Sequence, residues 1–504
     1  MAIKTSKKVI ESLKVLKERA KELEKELENK IIISVCSGTG CKALSSDDLF
    51  NALKKEIEKR SKEDIKKIVL KKTGCHGYCE RGPIIVIQPE GVCYLRVSEK
   101  DAPKIIEKTL NGEIITSLLY NDNEGNTVKN ESEIPFYKYQ QRIILSNNSK
   151  IDPESIEDYI RVGGYQAMAR ALEEMTPDEI LNEVKKSNLR GRGGGGFPAG
   201  MKWETTRNTT AEQKYIVINA DEGDPGAYMD RSLLEGNPHG VLEGLIIGAY
   251  AIGASRGYVY VRQEYPQAVE NIETAIEQAR EYGFLGNNIF GSGFDFDVMV
   301  HRGAGAFVSG ESSALMAAIE GNVGEPRLKY TRTAVSGLWG KPTNLNNVET
   351  WANVPYIIKN GSECFTSIGT KKSPGTKIFS LVGKVNNTGL VEVPMGISLR
   401  DIIFKIGGGI KSGIKLHALF SSVPTVGHGL VNLIDLPVDF DELDKAGSMM
   451  GSGGMIIMDE NSCMVDIAKY FINFLEGESC GKCVPCREGL KRMSQILTDI
   501  TEGK

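Results

Sequence analysis

Apolar residues recur at helical spacing at the start of the chain. They step by three or four positions, with charged residues between them, at Val9, Leu13, Leu16, Ala20, Leu23 and Leu27. This period predicts an amphipathic helix with one apolar stripe within the first thirty residues. We expect the helix to pack on its own domain, and the alternative is that it docks onto a partner subunit.

The next eighty residues show the pattern of a small α/β domain. The predicted elements are, in order, a strand at 31–35, a helix at 47–60, a strand at 68–70, a hairpin over 83–97 and a helix at 101–110. The hairpin is predicted to turn at Glu90-Gly91, because glycine accepts the backbone geometry that tight turns need. A compact unit of about one hundred residues follows from these elements.

The remaining sequence divides into a connection and three further patterns. The stretch 121–141 is polar and reads as part of a linker. Strands and helices alternate from 152 to about 361, which predicts a layered α/β domain. Short apolar runs separated by glycine turns over 376–458 predict a small β-rich domain. Helical patterns then follow at 464–476 and 487–500.

Composition excludes several classes of function. The 504 residues predict three or four domains, and 40% hydrophobic and 25% charged residues are typical of a globular protein. A net charge of −4 gives no basic field that would attract nucleic acid. No apolar stretch has membrane-spanning length, and the first thirty residues lack a signal core, so neither membrane insertion nor secretion is expected. The ten cysteines then indicate reduced thiols in the cytoplasm, for metal binding or catalysis.

Four cysteines near the start of the chain form two pairs. Cys36 and Cys41 follow the first predicted strand, and Cys75 and Cys79 follow the second. Two loops at the ends of neighbouring strands can converge on one site, and four thiolates hold either zinc or an iron–sulfur cluster. The spacings are wider than zinc knuckles and favour a two-iron cluster. Cys93 lies outside this pattern and is expected in the core.

Three cysteines near the end of the chain lie within seven residues. Cys480, Cys483 and Cys486 are spaced for three corners of a four-iron cubane, with zinc as the alternative. The fourth ligand is not evident, because no Cys or His follows Cys486. Cys463 is one candidate, and a ligand beyond Lys504, in a longer chain, is favoured.

A glycine-rich run occupies the middle of the sequence. Residues 191–196 match G-x-G-x-x-G, but 179–188 looks helical, so an ordinary Rossmann turn is not expected. Consecutive glycines can still expose backbone N–H groups to a flat or anionic ligand. Phe197 could stack on a ring and Lys202 could meet a phosphate. The alternative is a flexible hinge.

Two polar runs accompany the glycines. A strand predicted at 215–219 leads into Asn219, Asp221, Glu222 and Asp224, whose carboxylates suit ribose hydroxyls and a polar ring edge. A solvated acidic turn and a metal site are the alternatives there. The amides of 344–350 could satisfy a flavin or a phosphate, or could cap a helix.

Taken together, these motifs resemble the NADH-binding flavoprotein subunit of complex I and the related β subunits of soluble hydrogenases and formate dehydrogenases. The matching motifs lie at 191–203, 219–226, 259–266, 303–321, 344–350 and 479–489. An α/β multidomain protein is implied. The implied units are a thioredoxin-like [2Fe-2S] domain at 1–120, a linker at 121–150, a Rossmann-like FMN/NAD(H) domain at 151–365, a β-grasp-like domain at 366–458 and a truncated helical [4Fe-4S] domain at 459–504.

The resemblance also implies which residues hold the cofactors. FMN contacts are implied for Gly191, Gly193, Lys202, Asn219, Asp221, Tyr260, Glu264, Asn346, Asn347 and Thr350, with Gly194 in the same cofactor-binding loop. Contacts to the nicotinamide nucleotide are implied for Phe197, Glu222 and Asp224. The [2Fe-2S] ligands would be Cys36, Cys41, Cys75 and Cys79, and the [4Fe-4S] ligands Cys480, Cys483 and Cys486.

Of three departures from the family pattern, one is the missing last cluster ligand, and the other two concern the flavin and the nucleotide. Gln263 stands where the family usually has a small residue beside the flavin. Asp224 replaces a commoner Glu near the adenosine ribose, where a carboxylate would disfavour a 2′-phosphate by charge repulsion. NAD is therefore preferred over NADP.

The implied activity is NADH oxidation, or NAD⁺ reduction, at FMN. Single electrons would pass through the clusters to or from partner subunits, namely a hydrogenase-type catalytic subunit and a small [2Fe-2S] subunit, with electron bifurcation as a further option. The alternatives are an NADP-linked enzyme of the same type, a formate dehydrogenase subunit, a zinc-bound adaptor and a non-enzymatic electron carrier.

Overall fold

The computed structural model describes residues 9–122, 125–328, 330, 332–411, 416–421 and 434–504. The first eight residues of the predicted N-terminal helix, and parts of the predicted β-rich domain, lie outside these ranges. All of the candidate site residues lie inside them. Within the described residues, none of the helices is both long and apolar enough to cross a membrane.

The N-terminal unit is a four-stranded sheet flanked by helices. Its strands are β1 (Ile31–Cys36), β2 (Ile68–Thr73), β3 (Ile85–Gln88) and β4 (Val92–Tyr94), in the order β2-β1-β3-β4. Its helices are α2 (Thr39–Lys42), α3 (Ser46–Glu58), α4 (Lys62–Lys67) and α5 (Ala102–Leu110). β1 runs parallel to β2 and antiparallel to β3. The predicted hairpin is confirmed, with Gly91 at a φ of +69° in its turn.

Helix α1 (Leu13–Glu26) does not pack on this unit. Its stripe of Leu13, Leu16, Ala20 and Leu23 is buried in the same core as α7 (Ile156–Arg161) and α8 (Gln166–Glu174). Arg19 forms an ion pair with Glu157, and Glu173 accepts the Leu13 N–H at 2.7 Å. The prediction that the helix packs on its own domain is therefore wrong, because periodicity identifies the buried face but not the surface that covers it.

The predicted linker is a packed connection. It holds β5 (Tyr120–Asn121), β6 (Thr127–Val128) and α6 (Pro135–Lys138). Phe136 is buried and stacks on the ring of Tyr78, with ring centroids 4.3 Å apart. Ile134 and Tyr137 are buried in the same cluster, which also contains residues of the C-terminal sheet. A few apolar side chains within a polar stretch thus fix how the units sit together.

A five-stranded sheet forms the centre of the molecule. Its strands are β7 (Tyr215–Ala220), β8 (Arg256–Arg262), β9 (Gly286–Ile289), β10 (Phe294–Gly303) and β11 (Thr343–Asn347), in the order β11-β7-β8-β10-β9. The helices around it are α9 (Pro177–Lys186), α10 (Ala199–Asn208), α11 (Met229–Gly236), α12 (Pro238–Ile252), α13 (Pro266–Glu281), α14 (Ser312–Ile319), α15 (Val348–Asn360) and α16 (Ser362–Thr366). All strands except β9 are parallel, so their carboxyl ends meet at one edge. Ligands of open α/β sheets bind outside such an edge.

A second mixed sheet and a helical pair complete the chain. The strands are β12 (Thr376–Gly383), β13 (Gly389–Pro394), β14 (Leu416–Ser421) and β15 (Gly454–Asp459), in the order β13-β12-β15-β14. A π-helical turn at Asp401–Ile406 and α17 (Phe440–Lys445) connect them. Helices α18 (Met464–Gly477) and α19 (Val484–Thr501) pack together, and the cysteine triplet spans their turn and the first turn of α19.

Candidate functional site

The glycine loop lies between two helices, α9 and α10, so the ordinary strand-to-helix Rossmann turn is absent, as the sequence predicts. Most of its glycines are required by protein neighbours. A Cβ on Gly193 would lie 2.9 Å from the Cβ of Asn347, and a Cβ on Gly196 would lie 2.5 Å from the ring of Phe440. Gly194 has a φ of +122°, which L side chains rarely adopt. Only Gly195 faces open space.

A buried arginine within the loop anchors it. The Arg192 backbone N–H donates to Thr350 Oγ1 at 2.9 Å, and its guanidinium donates to the Pro374 carbonyl at 2.7 Å. Burial lowers the pKa of Arg192 to about 10. Sequence reasoning missed this residue, although an arginine inside a glycine run is itself a signal. It ties the loop to both α15 and the segment before β12.

A cavity of about 590 Å³ opens at the edge of the central sheet. Six of the predicted site residues line it, namely Gly193, Asn219, Asp221, Glu222, Asp224 and Asn347. The three C-terminal cysteines line the same cavity. Carboxylates dominate its wall, with Asp221, Glu222, Asp224, Asp230, Glu311 and Glu478 facing a single lysine, Lys482, among the described lining residues. Sequence reasoning missed Asp230, Ser452 and Glu478, which come from other elements.

Asp221 is the buried acid of this wall whose carboxylate most clearly lacks a partner. Its side chain is 2% accessible, yet neither carboxylate oxygen has a hydrogen-bond partner among the described residues. Its closest cation is Arg262, whose Nη1 lies 3.6 Å away. Burial raises the pKa of Asp221 to about 7. A buried carboxylate without donors is costly, so a ligand that offers N–H or O–H groups fits this position.

The other two acids of the motif have internal partners. The carboxylate of Glu222 accepts the N–H groups of Met229, Asp230 and Arg231, so it caps the start of α11. Burial raises its pKa to about 6. Asp224 accepts the hydroxyl of Ser452, which belongs to the segment before β15. Both residues line the cavity, and their predicted contacts to the nicotinamide nucleotide stay predictions.

A second cavity of about 600 Å³ adjoins the first along the start of α14. It holds Phe197 and Lys202, which therefore lie apart from Glu222 and Asp224. The Lys202 ammonium donates to the Leu345 carbonyl at 2.8 Å, and burial lowers its pKa to about 8. A buried ammonium that donates to a neutral carbonyl fits an anionic ligand.

The remaining predicted contacts outside the glycine loop line neither cavity. Asn346 and Thr350 are buried at the end of β11 and the start of α15. Tyr260 is buried and stacks on His301, with ring centroids 5.4 Å apart. Glu264 is half-exposed and is held by Arg262 at 2.9 Å. Asn347 caps α15 by accepting the Glu349 N–H at 2.9 Å, so the helix-cap reading of this run is correct for that residue.

The four N-terminal cysteines come together as predicted from their spacing. Cys36 ends β1, and Cys75 follows β2. The sulfurs of Cys75 and Cys79 are 3.9 Å apart. Hydrogen bonding to Cys41 and Cys75, together with burial, raises the pKa of Cys36, while hydrogen bonds from Cys36 and Cys79 lower the pKa of Cys75. These contacts place all four thiols around one site.

Glycines keep that site compact. A Cβ on Gly38 would lie 2.9 Å from the Cβ of Cys75, and a Cβ on Gly82 would lie 2.8 Å from the sulfur of Cys41. Cys93 is buried in the core, outside the group, as expected.

The C-terminal triplet is exposed and lies beside the first cavity. Ser479 Oγ is 3.4 Å from the sulfur of Cys486, and Arg487 donates to the Gly481 carbonyl at 2.6 Å. Among the described residues, no three Cys, His, Asp or Glu side chains surround a point suited to a single metal ion. An iron–sulfur cluster spreads its thiolate ligands over several irons, so this result does not bear on cluster binding.

Comparison with known protein families agrees with this arrangement. Residues 184–356 match the Nuo51 FMN-binding domain. Residues 466–504 match the NADH-ubiquinone oxidoreductase-F iron-sulfur binding region, and residues 21–110 match the thioredoxin-like [2Fe-2S] ferredoxin.

Individual relatives are similar over most of the chain. The NADP-reducing hydrogenase subunit HndC of Solidesulfovibrio fructosivorans is 54% identical over 73% of this chain and 74% of its own length. The F-type subunit of the NADH-quinone oxidoreductase of Escherichia coli strain K12 is 41% identical over 70% of this chain and 79% of its own length. A chain from the crystal structure of an H2-reduced NAD+-reducing [NiFe]-hydrogenase is 25% identical. It superposes with a TM-score of 0.62 over 98% of this chain and 82% of its own length.

The chain therefore belongs to the family of FMN-binding flavoproteins that are subunits of NADH-quinone oxidoreductases and of nicotinamide-linked hydrogenases. Within that family it acts in NAD(P)H-linked electron transfer, as an oxidoreductase subunit that uses FMN, a [2Fe-2S] cluster and a [4Fe-4S] cluster. The predictions of family, fold class and cofactors are confirmed.

Proposed function

We propose that this chain exchanges hydride with a nicotinamide nucleotide over the first cavity and exchanges single electrons with a hydrogenase-type partner. The observation that carries the proposal is that Asp221, whose two carboxylate oxygens accept no hydrogen bond, shares one cavity with the three C-terminal cysteines. FMN supplies the chemistry that joins the two exchanges, since it takes up two electrons together and releases them singly.

The residues have separate tasks in this proposal. Asp221, Asn219 and Asn347 offer acceptors and an amide edge to the flavin, and Lys202 meets a phosphate. The loop 191–196 excludes water and keeps the flavin close to the carboxyl ends of the strands. No residue is needed as a general acid or base, because position and electrostatics are enough for hydride transfer.

We further propose a cytoplasmic, hetero-oligomeric setting. None of the ten cysteines forms a disulfide, which suits a reducing compartment. The name of the similar HndC protein describes a hydrogenase subunit, and a soluble hydrogenase with a small [2Fe-2S] subunit is the partner that we favour. Electron bifurcation stays a prediction.

Dye reduction by the purified chain tests the function. After anaerobic reconstitution with FMN, iron and sulfide, the chain should reduce an artificial acceptor with NADH or NADPH. A preparation that holds FMN and both clusters but reduces no dye with either nucleotide would instead support a non-enzymatic electron carrier. A preparation with zinc and no acid-labile sulfide would support an adaptor.

Replacing Lys202 tests the phosphate contact. Lys202→Ala should lower the FMN retained after desalting roughly ten-fold or more, because a charge-assisted hydrogen bond contributes about 1.5 to 3 kcal/mol. Flavin absorbance per chain is the measurement. The control is Lys186→Ala, which removes an exposed lysine from the end of α9 and should leave FMN content unchanged. Equal FMN content in the two variants would remove Lys202 from the site.

A further inference from the structure

The two adjoining cavities differ sharply in charge. The first has six carboxylates among its described lining residues, whereas the second has none. Among its described lining residues, the second cavity instead has three cations, Lys202, Arg327 and Arg332, beside the aromatic ring of Phe197. A cavity with this lining favours a ligand that combines a flat ring with negative charge.

Two of the three cations of the second cavity already have partners within the protein. Arg327 forms an ion pair with Glu320. The first N–H groups of α14, which would otherwise attract an anion, are bonded by the carboxylate of Glu311. Lys202 donates to a backbone carbonyl and is the proposed partner of the flavin phosphate. Of the cations that the structure describes in this cavity, Arg332 is the one that remains.

Arg332 is placed to hold an anion next to a stacked base. Its guanidinium carbon lies 5.7 Å from the centroid of the Phe197 ring. Within the described part of the chain, no carboxylate lies within ion-pairing distance of its side chain, whereas Arg262, Arg302 and Arg327 each have at least one. A guanidinium presents paired N–H donors that match the oxygens of a phosphate.

We propose that Arg332 binds the 2′-phosphate of NADP(H), with the adenine on Phe197, so that this chain accepts NADPH. The inference rests on the proposed function, because it takes the second cavity as the adenosine end of the nucleotide site. It replaces the preference for NAD that Asp224 implied. Asp224 lines the other cavity, where its carboxylate accepts the hydroxyl of Ser452, so it does not face a phosphate beside Phe197.

The decisive experiment compares NADPH and NADH as donors to benzyl viologen. Each nucleotide that loses a hydride supplies two electrons, which reduce two molecules of this one-electron dye. The reconstituted full chain should use NADPH, and Arg332→Gln should lower kcat/KM for NADPH by roughly 10- to 100-fold, as expected for the loss of a charge-assisted bond. With NADH the variant should stay within about two-fold of the parent, since the 2′-hydroxyl makes no ion pair.

A matched control separates this effect from a general loss of positive charge. Arg256→Gln changes an exposed arginine at the start of β8, the opposite end of that strand from the cavities. It should leave both kcat/KM values unchanged. FMN content per chain verifies folding of each variant, and Arg332→Lys, which keeps the charge, should recover part of the NADPH activity if Arg332→Gln is poorly folded.

Binding of nucleotide fragments gives a readout that does not depend on turnover. By calorimetry, 2′,5′-ADP should bind the parent chain at least ten-fold more tightly than 5′-AMP, and Arg332→Gln should abolish that difference. Equal losses with NADH and NADPH, or equal binding of the two fragments by the parent, would overturn the inference. Failure of the proposed function looks different, because the FMN-loaded chain would then reduce dye with neither nucleotide, while fragment binding would still decide the role of Arg332.

Discussion

Asp221 shows how a single residue can report on a missing ligand. Its carboxylate is buried at the end of β7 without a donor, and Arg262 is too far away at 3.6 Å for a direct hydrogen bond. The protein bears the cost of desolvating this group unless a ligand supplies donors. Under the proposed function, the carboxylate that costs stability in the empty site would contribute to the binding of FMN.

The stability of the FMN-free chain should depend on pH because of this carboxylate. The pKa of Asp221 is about 7 in the folded chain and 3.8 ordinarily, so the folded form holds the extra proton between these values. The ionised carboxylate therefore lowers the free energy of unfolding above about pH 7, and this destabilisation disappears below pH 3.8. Asp221→Asn should raise the thermal midpoint of the FMN-free chain at about pH 8, by the equivalent of roughly 1 to 3 kcal/mol, and by less at about pH 5.

The same substitution should act in the opposite direction on the cofactor. Flavin titration should show weaker FMN binding by Asp221→Asn, because the amide accepts hydrogen bonds less strongly than a carboxylate. If Asp221→Asn leaves the thermal midpoint of the FMN-free chain unchanged at about pH 8, the buried carboxylate does not cost stability as proposed.

Sequence motifs predict the residues of this site in groups, not as one geometry. The 219–226 run contains Asn219, Asp221, Glu222 and Asp224, and all four line the first cavity. The same reasoning groups Phe197 with Glu222 and Asp224, whereas the fold puts it in the other cavity. Asp230, Ser452 and Glu478 lie outside these motifs, and only tertiary folding brings them to the wall.

Helix α1 is the element whose role differs most from its expectation. Its apolar stripe is present, but the helix crosses from the N-terminal unit to cover α7 and α8. Ion pairs from Arg19 to Glu157 and from Arg161 to Glu24 flank the contact. The helix thus packs on the central domain and, because it is joined to the N-terminal unit by the chain, it holds that unit next to the central domain.

Shortening one side chain of the apolar stripe should weaken the packing of α1 on the central domain. Leu16 is fully buried, so Leu16→Ala should destabilise the docked helix by about 2 to 5 kcal/mol. Faster amide hydrogen exchange across 13–26 and earlier cleavage by protease are the measurements. The control Val15→Ala alters a neighbouring side chain that is 45% exposed and should have little effect. Identical exchange in the two variants would mean that α1 is not held by its stripe.

Other elements are predicted best where their pattern of apolar residues is regular. The strand at 215–219 and the helices at 464–476 and 487–500 are recovered within a few residues, because their apolar patterns are regular. The connection at 121–150 is not, since its five buried apolar side chains, Ile134, Phe136, Tyr137, Ile144 and Leu145, are hidden in a polar composition. A short stretch that is buried against a distant segment has too few residues to show a helical or strand period.

At the scale of the molecule, α11 joins the N-terminal thiols to the first cavity. Asp230, in its first turn, lines the cavity, while Tyr228, just before it, donates to the sulfur of Cys79 at 3.8 Å. At its other end, Glu235 accepts the Thr39 N–H at 3.1 Å. Gly74 approaches Gly236 so closely that a Cβ would lie 2.3 Å from the Gly236 Cα. One eight-residue helix thus contacts both the N-terminal unit and the first cavity.

The hydroxyl of Tyr228 should influence the [2Fe-2S] cluster. Burial raises the pKa of Tyr228, so it remains a protonated donor. A hydrogen bond to a ligand sulfur stabilises the reduced cluster. Tyr228→Phe should therefore lower its midpoint potential by about 20 to 60 mV, the equivalent of one ordinary hydrogen bond.

An EPR-monitored redox titration measures this shift. The control Tyr250→Phe alters a tyrosine that packs on Phe294 and should leave the potential unchanged. A Tyr228→Phe potential equal to that of the parent would show that the contact to Cys79 has no electronic effect.

The packing of α1 on the central domain has a kinetic consequence. Separate electron carriers meet by collision, so their exchange slows when they are diluted. Here the thioredoxin-like unit and the flavin domain share one polypeptide, and both α1 and the Gly74–Gly236 contact hold them together. Their effective concentration is fixed by the fold and not by the amount of protein. Electron exchange between the two should then be first order, with a rate that is independent of dilution.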